Sequence, residues 1–541
     1  MKKNLVLLVA SVFTMNTFVF AEDILSDAQK ISQLEQQLTI LQKEVASLKK
    51  HPKARTVSHH PAKKSTSSVA TMNPQTMHSP LYPPTNQIQG PTNLPQSGAM
   101  YLPVDFDVPG QSFVSSGPYI GIPLEFSGGN LIVNSPTVNE DVILLKLRKN
   151  ITQRLTSFGR PDEASGSHIL LSGTLQGQAL FKNNGGGNHN QSDINLTNIA
   201  FDAYALGPSR WTSGLLELSY DNNIGTQTGS FSSNNRTQNS RVFVKKAFVV
   251  LGDFLESPFY GSFGQMFVPF GVYSNTLVSD PLTKTLGRVQ ARALVLGYKQ
   301  QTVNNFYAST YLFEGPSHTS AASRINNGGI NAGYGFKMNQ ANADIGGGVI
   351  ANIADSQGMQ YTGNQPLFAG FGGPTVQNVT TTTGTTTSII SVNTGNERLV
   401  HRVPAYDAHI LLGLGDNIQL LGEYITASTN FDPTDMTFNT HGAKPQALHL
   451  EGVYNLPTFS TPTSVSLAFD ATRNALAIGL PAKRYSFVIN KSWWKDTLQS
   501  LEFRRDINYS ASSTSSGSGI IGPSGTNQAV NMVTLQFAYY F

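Results

Sequence analysis

The sequence predicts an all-β chain: a transmembrane antiparallel β-barrel of about 16 strands, preceded by a short N-terminal coiled-coil helix and a linker. Three observations carry this. Residues 168–541 divide into strand-length segments in which apolar and polar residues alternate. The connections between the segments alternate between long and short. The last segment places Val533, Leu535, Phe537, Tyr539 and Phe541 at one parity and Thr534, Gln536, Ala538 and Tyr540 at the other. A strand points successive side chains to opposite faces, so one face of that segment is apolar and aromatic and the other is smaller and mostly polar.

Composition sets the frame. The chain has 541 residues, 13% of them charged, with 49 Gly, no Cys and a formal net charge of +4. The near-neutral balance gives no argument for nucleic acid as a partner. The missing Cys excludes disulfides and thiolate metal sites. Residues 1–21 read as a signal peptide, with Lys2 and Lys3, an apolar stretch from Leu5 to Val12, and Val19-Phe20-Ala21 at the cleavage pattern. No later run reaches about 18 uninterrupted apolar residues, so no spanning helix is expected.

Residues 22–50 carry a heptad. Ile24, Ile31, Leu38 and Val45 occupy one seam position and Leu34, Leu41 and Leu48 the other, with Asp27 interrupting the first repeat. That pattern suits a parallel coiled coil and a homo-oligomer formed through it; a lone amphipathic helix on a surface is the alternative. Residues 51–102, rich in Pro, Ser, Thr, Asn and His, read as a low-complexity linker. Residues 103–167 hold short apolar pieces, Tyr119–Ile122 and Asp141–Leu145, and read as a small pre-barrel, plug-like segment.

From residue 168 the strand candidates are 168–182, 194–206, 211–223, 241–252, 258–268, 288–300, 304–314, 328–338, 342–353, 404–414, 418–428, 445–455, 463–473, 484–493, 498–509 and 528–541. Each is long enough for a tilted strand to cross the hydrocarbon. Long loops at one end and short turns at the other mark outer-membrane barrels, and an even strand count lets the sheet close without leaving a backbone edge in lipid. Parity is ambiguous in 288–300 and 304–314. Lys491, near Trp493, can snorkel; Arg505 shares the lipid-facing parity without an evident reason.

The polar parity supplies a lumen lining that includes Asp202, Glu217, Glu423, Glu451, Asp470, Arg484, Glu502 and Arg504. Both charge signs occur, and no nucleophile elbow, phosphate loop or metal-ligand spacing is present. An enzyme is not expected, nor a cofactor, and carboxylates such as Glu423 and Glu451 read as solvated lumen groups. The third long loop, 269–287, is the best place for specificity. It contains Asp280 and Lys284 and runs into Arg288 and Arg292, two residues of the same parity; together they form the candidate ligand or channel site. Arg presents paired donors that match carboxylate, hydroxamate or catecholate oxygens.

Two resemblances add to this reading. A strand closing on Phe541 with apolar residues at every second position before it resembles the C-terminal assembly signal of bacterial outer-membrane barrels, which implies contact with the barrel-assembly machinery and with outer-membrane lipid. The signal peptide, the heptad, the linker, the Phe113–Ile122 stretch, the Gly264–Gly271 run and the closing aromatic residues resemble the LbtU-type siderophore porin family over essentially the whole chain. That resemblance implies an outer-membrane barrel of sixteen strands, with its N-terminal region in the periplasm, that takes up ferric siderophore without a large energy-coupled plug. It transfers no ligand residue. A general or sugar/anion diffusion porin and a barrel-anchored envelope tether remain alternative functions.

Overall fold

The computed structural model describes residues 104–108, 112–116, 139–157, 166–184, 190–207, 209–220, 242–317, 324–338, 341–361, 375–381, 384–390, 401–415, 417–456, 461–494, 497–517 and 520–541. The expected signal peptide, heptad stretch and linker lie outside these residues.

Two short strands come first, β1 (Val104–Val108) and β2 (Ser112–Ser116), followed by helix α1 (Glu140–Ser157). The barrel begins with β3 (Ser167–Asn184), β4 (Gln191–Leu206), β5 (Thr212–Tyr220), β6 (Val242–Gly252) and β7 (Phe259–Phe267). A one-and-a-half-turn helix, α2 (Leu282–Gly287), precedes β8 (Gln290–Lys299), β9 (Asn305–Phe313), β10 (Asn327–Met338) and β11 (Ala341–Ile350). Helix α3 (Gln357–Tyr361) lies in the next loop. The barrel continues with β12 (Ala405–Leu414), β13 (Ile418–Ala427), β14 (Gln446–Asn455), β15 (Thr463–Arg473), β16 (Lys483–Lys491), β17 (Thr497–Ile507) and β18 (Ala529–Tyr540). Consecutive strands from β3 onward pair antiparallel, and β18 returns to pair antiparallel with β3, so sixteen strands close. Every predicted strand is present, with ends shifted by a few residues.

Alternation holds around the wall. Leu216, Val249, Phe263, Leu296, Ile330, Leu467 and Leu535 are exposed on the outside, while their chain neighbours are buried or half-buried inside. A closed sheet with an apolar outer belt leaves no unpaired backbone facing hydrocarbon, which makes this a transmembrane barrel of the outer-membrane type. Arg505 is exposed two residues from the long-loop end of β17, beside Tyr485 and Asn531, a height that matches lipid headgroups. Lys491 lies 5.9 Å over the Trp493 ring at the opposite end.

The seam has an unusual lower half. Tyr540 pairs with Thr174, and Phe541 exchanges two backbone hydrogen bonds with Gly173 (2.8 and 3.0 Å). Below that point β3 continues, and β2 lies parallel along it from Ser112↔Ser167 to Ser116↔Leu171. The stretch of β3 edge that β18 does not reach is thus covered by β2, as exposed strand edges require.

Helix α1 sits inside the barrel. The apolar run Asp141–Leu145, part of the expected pre-barrel segment, is helical, with Leu144, Leu145, Arg148 and Ile151 on one buried face. That face meets the inner residues Leu170, Tyr204, Leu206, Leu215, Phe248 and Val250. The helix runs from mid-lumen down to the short-turn end, where the Arg148 guanidinium donates to the carbonyls of Thr212 (2.7 Å) and Ser209 (2.6 Å).

Candidate functional site: the narrowed lumen

Loop 268–289, between β7 and β8, folds into the lumen. Val268 N donates to Val289 O (3.0 Å) and ties the neck of the loop. Gly271 (φ 77°) and Tyr273 (φ 57°) are both left-handed and turn the chain inward. The turn favours Gly because L side chains avoid this region. The Tyr273 hydroxyl fastens it by donating to Phe270 O (2.6 Å).

Carboxylates of the opposite wall then receive the loop. Glu423 Oε1 on β13 accepts from Val272 N (2.6 Å) and Tyr273 N (3.0 Å). Glu451 Oε1 on β14 accepts from Thr276 N (3.0 Å). Glu502 Oε2 on β17 accepts from Val278 N (2.6 Å) and Ser279 N (2.9 Å). Asp470 Oδ1 on β15 accepts from Leu282 N (3.1 Å). His449 stands between two of these carboxylates, 2.9 Å from Asp470 Oδ1 and 3.3 Å from Glu451 Oε2. A loop buried in a barrel has backbone N–H groups that water cannot reach, and a carboxylate acceptor makes a strong bond to each. The expectation that Glu423 and Glu451 are solvated lumen groups is therefore corrected: both are buried and hold the loop.

The four predicted site residues separate. Asp280 and Lys284 form an ion pair of 2.6 Å on the loop. Arg484 of β16 donates to Asp280 O (3.0 Å) while its guanidinium also grips Asp506 (2.7 and 3.2 Å). Arg288 Nε donates to Gln357 Oε1 of α3 (2.9 Å), and the guanidinium lies 4.6 Å over the Phe267 ring. Burial pulls the Lys284 ammonium down to about 8, only partly offset by Asp280. Burial works against the Asp280 carboxylate, but Lys284, Arg288 and Arg484 together hold it below its ordinary range.

Arg292 is elsewhere. On β8 the buried inner residues are Ala293 and Val295, so Arg292 shares the outer face with Leu294 and Leu296. The parity shared with Arg288 has no meaning, because Arg288 caps α2 outside the strand register, which starts at Gln290. The pairing of the two arginines in one site is corrected on that ground.

The lumen-filling helix has its own anchor, which the sequence analysis did not find. A β-bulge between Glu217 and Leu218 lets both Lys245 and Lys246 of β6 turn inward. Lys246, fully buried, is ion-paired with Glu140 at the start of α1 and with Glu217 (2.5 Å), and Lys245 reaches Glu217 at 3.1 Å. Ser262 Oγ donates to Asp141 Oδ2 (2.7 Å) and the Tyr204 hydroxyl to Leu144 O (2.9 Å). The available signal was two adjacent lysines in a strand, which a strict alternation cannot place. Among the described residues no group of three or more His, Asp or Glu is arranged to hold a metal ion.

Among solved structures, the chain is similar to the outer membrane channel DcaP of Acinetobacter baumannii, at 12% identity and a TM-score of 0.41, covering 69% of this chain and 97% of that one. It is also similar to an anion-selective porin from Comamonas acidovorans, at 11% identity and a TM-score of 0.42, covering 69% of this chain and 100% of that one. No family model matches the sequence. Curated relatives do. A UPF0422 protein of Coxiella burnetii is 34% identical over 437 residues, covering 80% of this chain and 84% of its own length. A UPF0422 protein of Legionella pneumophila strain Lens is 33% identical over 440 residues, covering 79% of this chain and 76% of its own. At that identity and coverage, the chain belongs to the UPF0422 protein family.

Proposed function

We propose that this barrel is an outer-membrane porin that takes up ferric siderophore without a large energy-coupled plug, with its N-terminal region in the periplasm, as its resemblance to the LbtU-type porins implies. The observation that carries the reading is the inward loop. It narrows the lumen by crossing to the facing wall, and it sets Lys284 and Arg288 near Arg484 of that wall, around Asp280. Guanidinium and ammonium groups suit the oxygen-rich, often anionic surface of a ferric chelate. The same cations also suit simple anions, which keeps an anion or sugar diffusion porin as the second reading. Cells with and without the protein, given labelled ferric siderophore with and without an intact proton-motive force, separate the two. Protein-dependent uptake that survives de-energisation supports the first. Unchanged uptake, together with rapid swelling of proteoliposomes in small sugars, supports the second.

A further inference from the structure

The inner wall from β15 round to β4 carries a row of uncharged polar side chains at directly paired positions. Ser464 of β15 faces Asn490 of β16, which faces Ser500 of β17, then Gln536 of β18, Gln178 of β3 and Asn195 of β4. Such a row runs perpendicular to the strands, and barrel strands are tilted, so the row climbs as it goes around. Its ends show the climb. Ser464 is the second residue of β15 from the short-turn end, whereas Asn195 is the fifth residue of β4 from the long-loop end. The rows on either side lack this character: Val488 and Leu180 interrupt the one above, Leu498 and Ala538 the one below.

These side chains are buried yet incompletely bonded. Ser464, Asn490, Ser500 and Gln536 are 0, 0, 1 and 2% exposed. Ser464 Oγ, Asn490 Oδ1, Ser500 Oγ, Gln536 Nε2 and Asn195 Oδ1 have no hydrogen-bond partner. Gln178 Nε2 donates to Gln536 Oε1 (2.7 Å), and Asn490 Nδ2 donates to Thr276 O of the inward loop (2.9 Å). The loop's Leu277 and Val278 pack on Val488 and Ala468 above the row and on Leu498 and Ala538 below it. Two apolar residues are thus clamped across a polar track whose atoms stay unsatisfied beneath them, an arrangement that buried polar groups avoid unless something else meets them.

We propose that this climbing polar row is the path of solute through the barrel, and that the loop segment Thr276–Ser279 is its gate. The path crosses β3 and β4 above the residues that pack on α1 and rests on the porin reading. The row offers hydroxyl and amide donors and acceptors with no charge, so it suits solutes whose surface is hydroxyl and carbonyl oxygen. The gate's own contacts are apolar packing plus bonds to Glu451, Glu502, Ser466 and the row's own Asn490, so lifting it exposes the row while the loop's neck stays fixed.

The absence of Cys from the chain makes the test direct. Ser500→Cys and Ser464→Cys are introduced separately into the full chain, folding is checked by heat-modifiable mobility, and single channels are recorded in planar bilayers before and after a sulfonated methanethiosulfonate. Ser213→Cys, under α1 beside Tyr204, is the comparison. The expected result is a loss of at least a third of the conductance for either path variant and no change for Ser213→Cys or the Cys-free parent. Block of Ser213→Cys with both path variants unaffected overturns the path. A parent chain that conducts nothing removes the porin reading itself, and the path with it.

Discussion

At the scale of single residues, Lys284 makes the narrowed lumen sensitive to pH. Its ammonium is held near 8, below its ordinary 10.5, so the folded chain releases that proton first. Between those values the unfolded chain binds more protons than the folded one, and the fold gains stability as pH rises while the loop loses a positive charge. Asp280, whose pKa is lowered, stays ionised over the same range. Reversal potentials in a potassium chloride gradient should therefore show chloride preference falling as pH goes from 7 to 9, and Lys284→Arg should remove that step because Arg does not titrate there. A wild-type profile flat across this range would take Lys284 out of the conduction path. A second residue with a sharp expectation is Gly173. A Cβ there would lie 2.4 Å from the Phe541 ring and 2.6 Å from Ala200 O. Gly173→Ala should lower the yield of heat-modifiable barrel several-fold, and deleting Phe541 should do the same if the ring's seat is what matters. Normal yield from both would show that this contact is dispensable for assembly.

At the scale of elements, α1 is held by its apolar stripe and by one buried lysine, Lys246. Removing one member of a buried ion pair costs about 3–5 kcal/mol because the partner charge is left behind. Lys246→Met leaves Glu140 and Glu217 facing each other, so hydrogen exchange in residues 140–151 should rise by at least tenfold while the strands stay protected. Equal exchange in both proteins would mean that the helix is seated by packing alone. The elements also show where sequence reading succeeds. Strands β10 and β15 were legible because one face meets lipid and the other is polar. Strands β8 and β9 were ambiguous because their inner residues, Ala293, Val295, Tyr311 and Phe313, are apolar too, packed against the filled lumen. Binary patterning reports a two-sided environment, and where both sides are dry it falls silent. The same limit hid the α1 anchor, since a bulge changes parity midway through β6. Of the candidate site, the loop and its Asp280–Lys284 pair were legible from position in the chain. The facing of Arg292 was not, because it depends on where the strand register begins.

At the scale of the whole molecule, the barrel and its internal fillings all lie after residue 102. Every described contact of α1 and of the inward loop is made to the barrel or within it. A chain lacking residues 22–102 should therefore still insert and conduct, with unit conductance within about twofold of the parent, an order-of-magnitude allowance for a path that does not change. Failure of that chain to reach a heat-modifiable state would assign the missing stretch a part in folding. The seam between the first and last barrel strands adds a constraint on register. Strand β3 carries two claims on the same edge, β2 below Gly173 and β18 above it. Above Gly173 its partner is the strand most distant in the barrel sequence, with residues 185–528 between them. Below it the edge is occupied by a near neighbour, with residues 117–166 between β2 and β3. With that stretch taken by β2, the final strand is left only the part of β3 above Gly173 to pair with, which removes any register slipped toward the short-turn end.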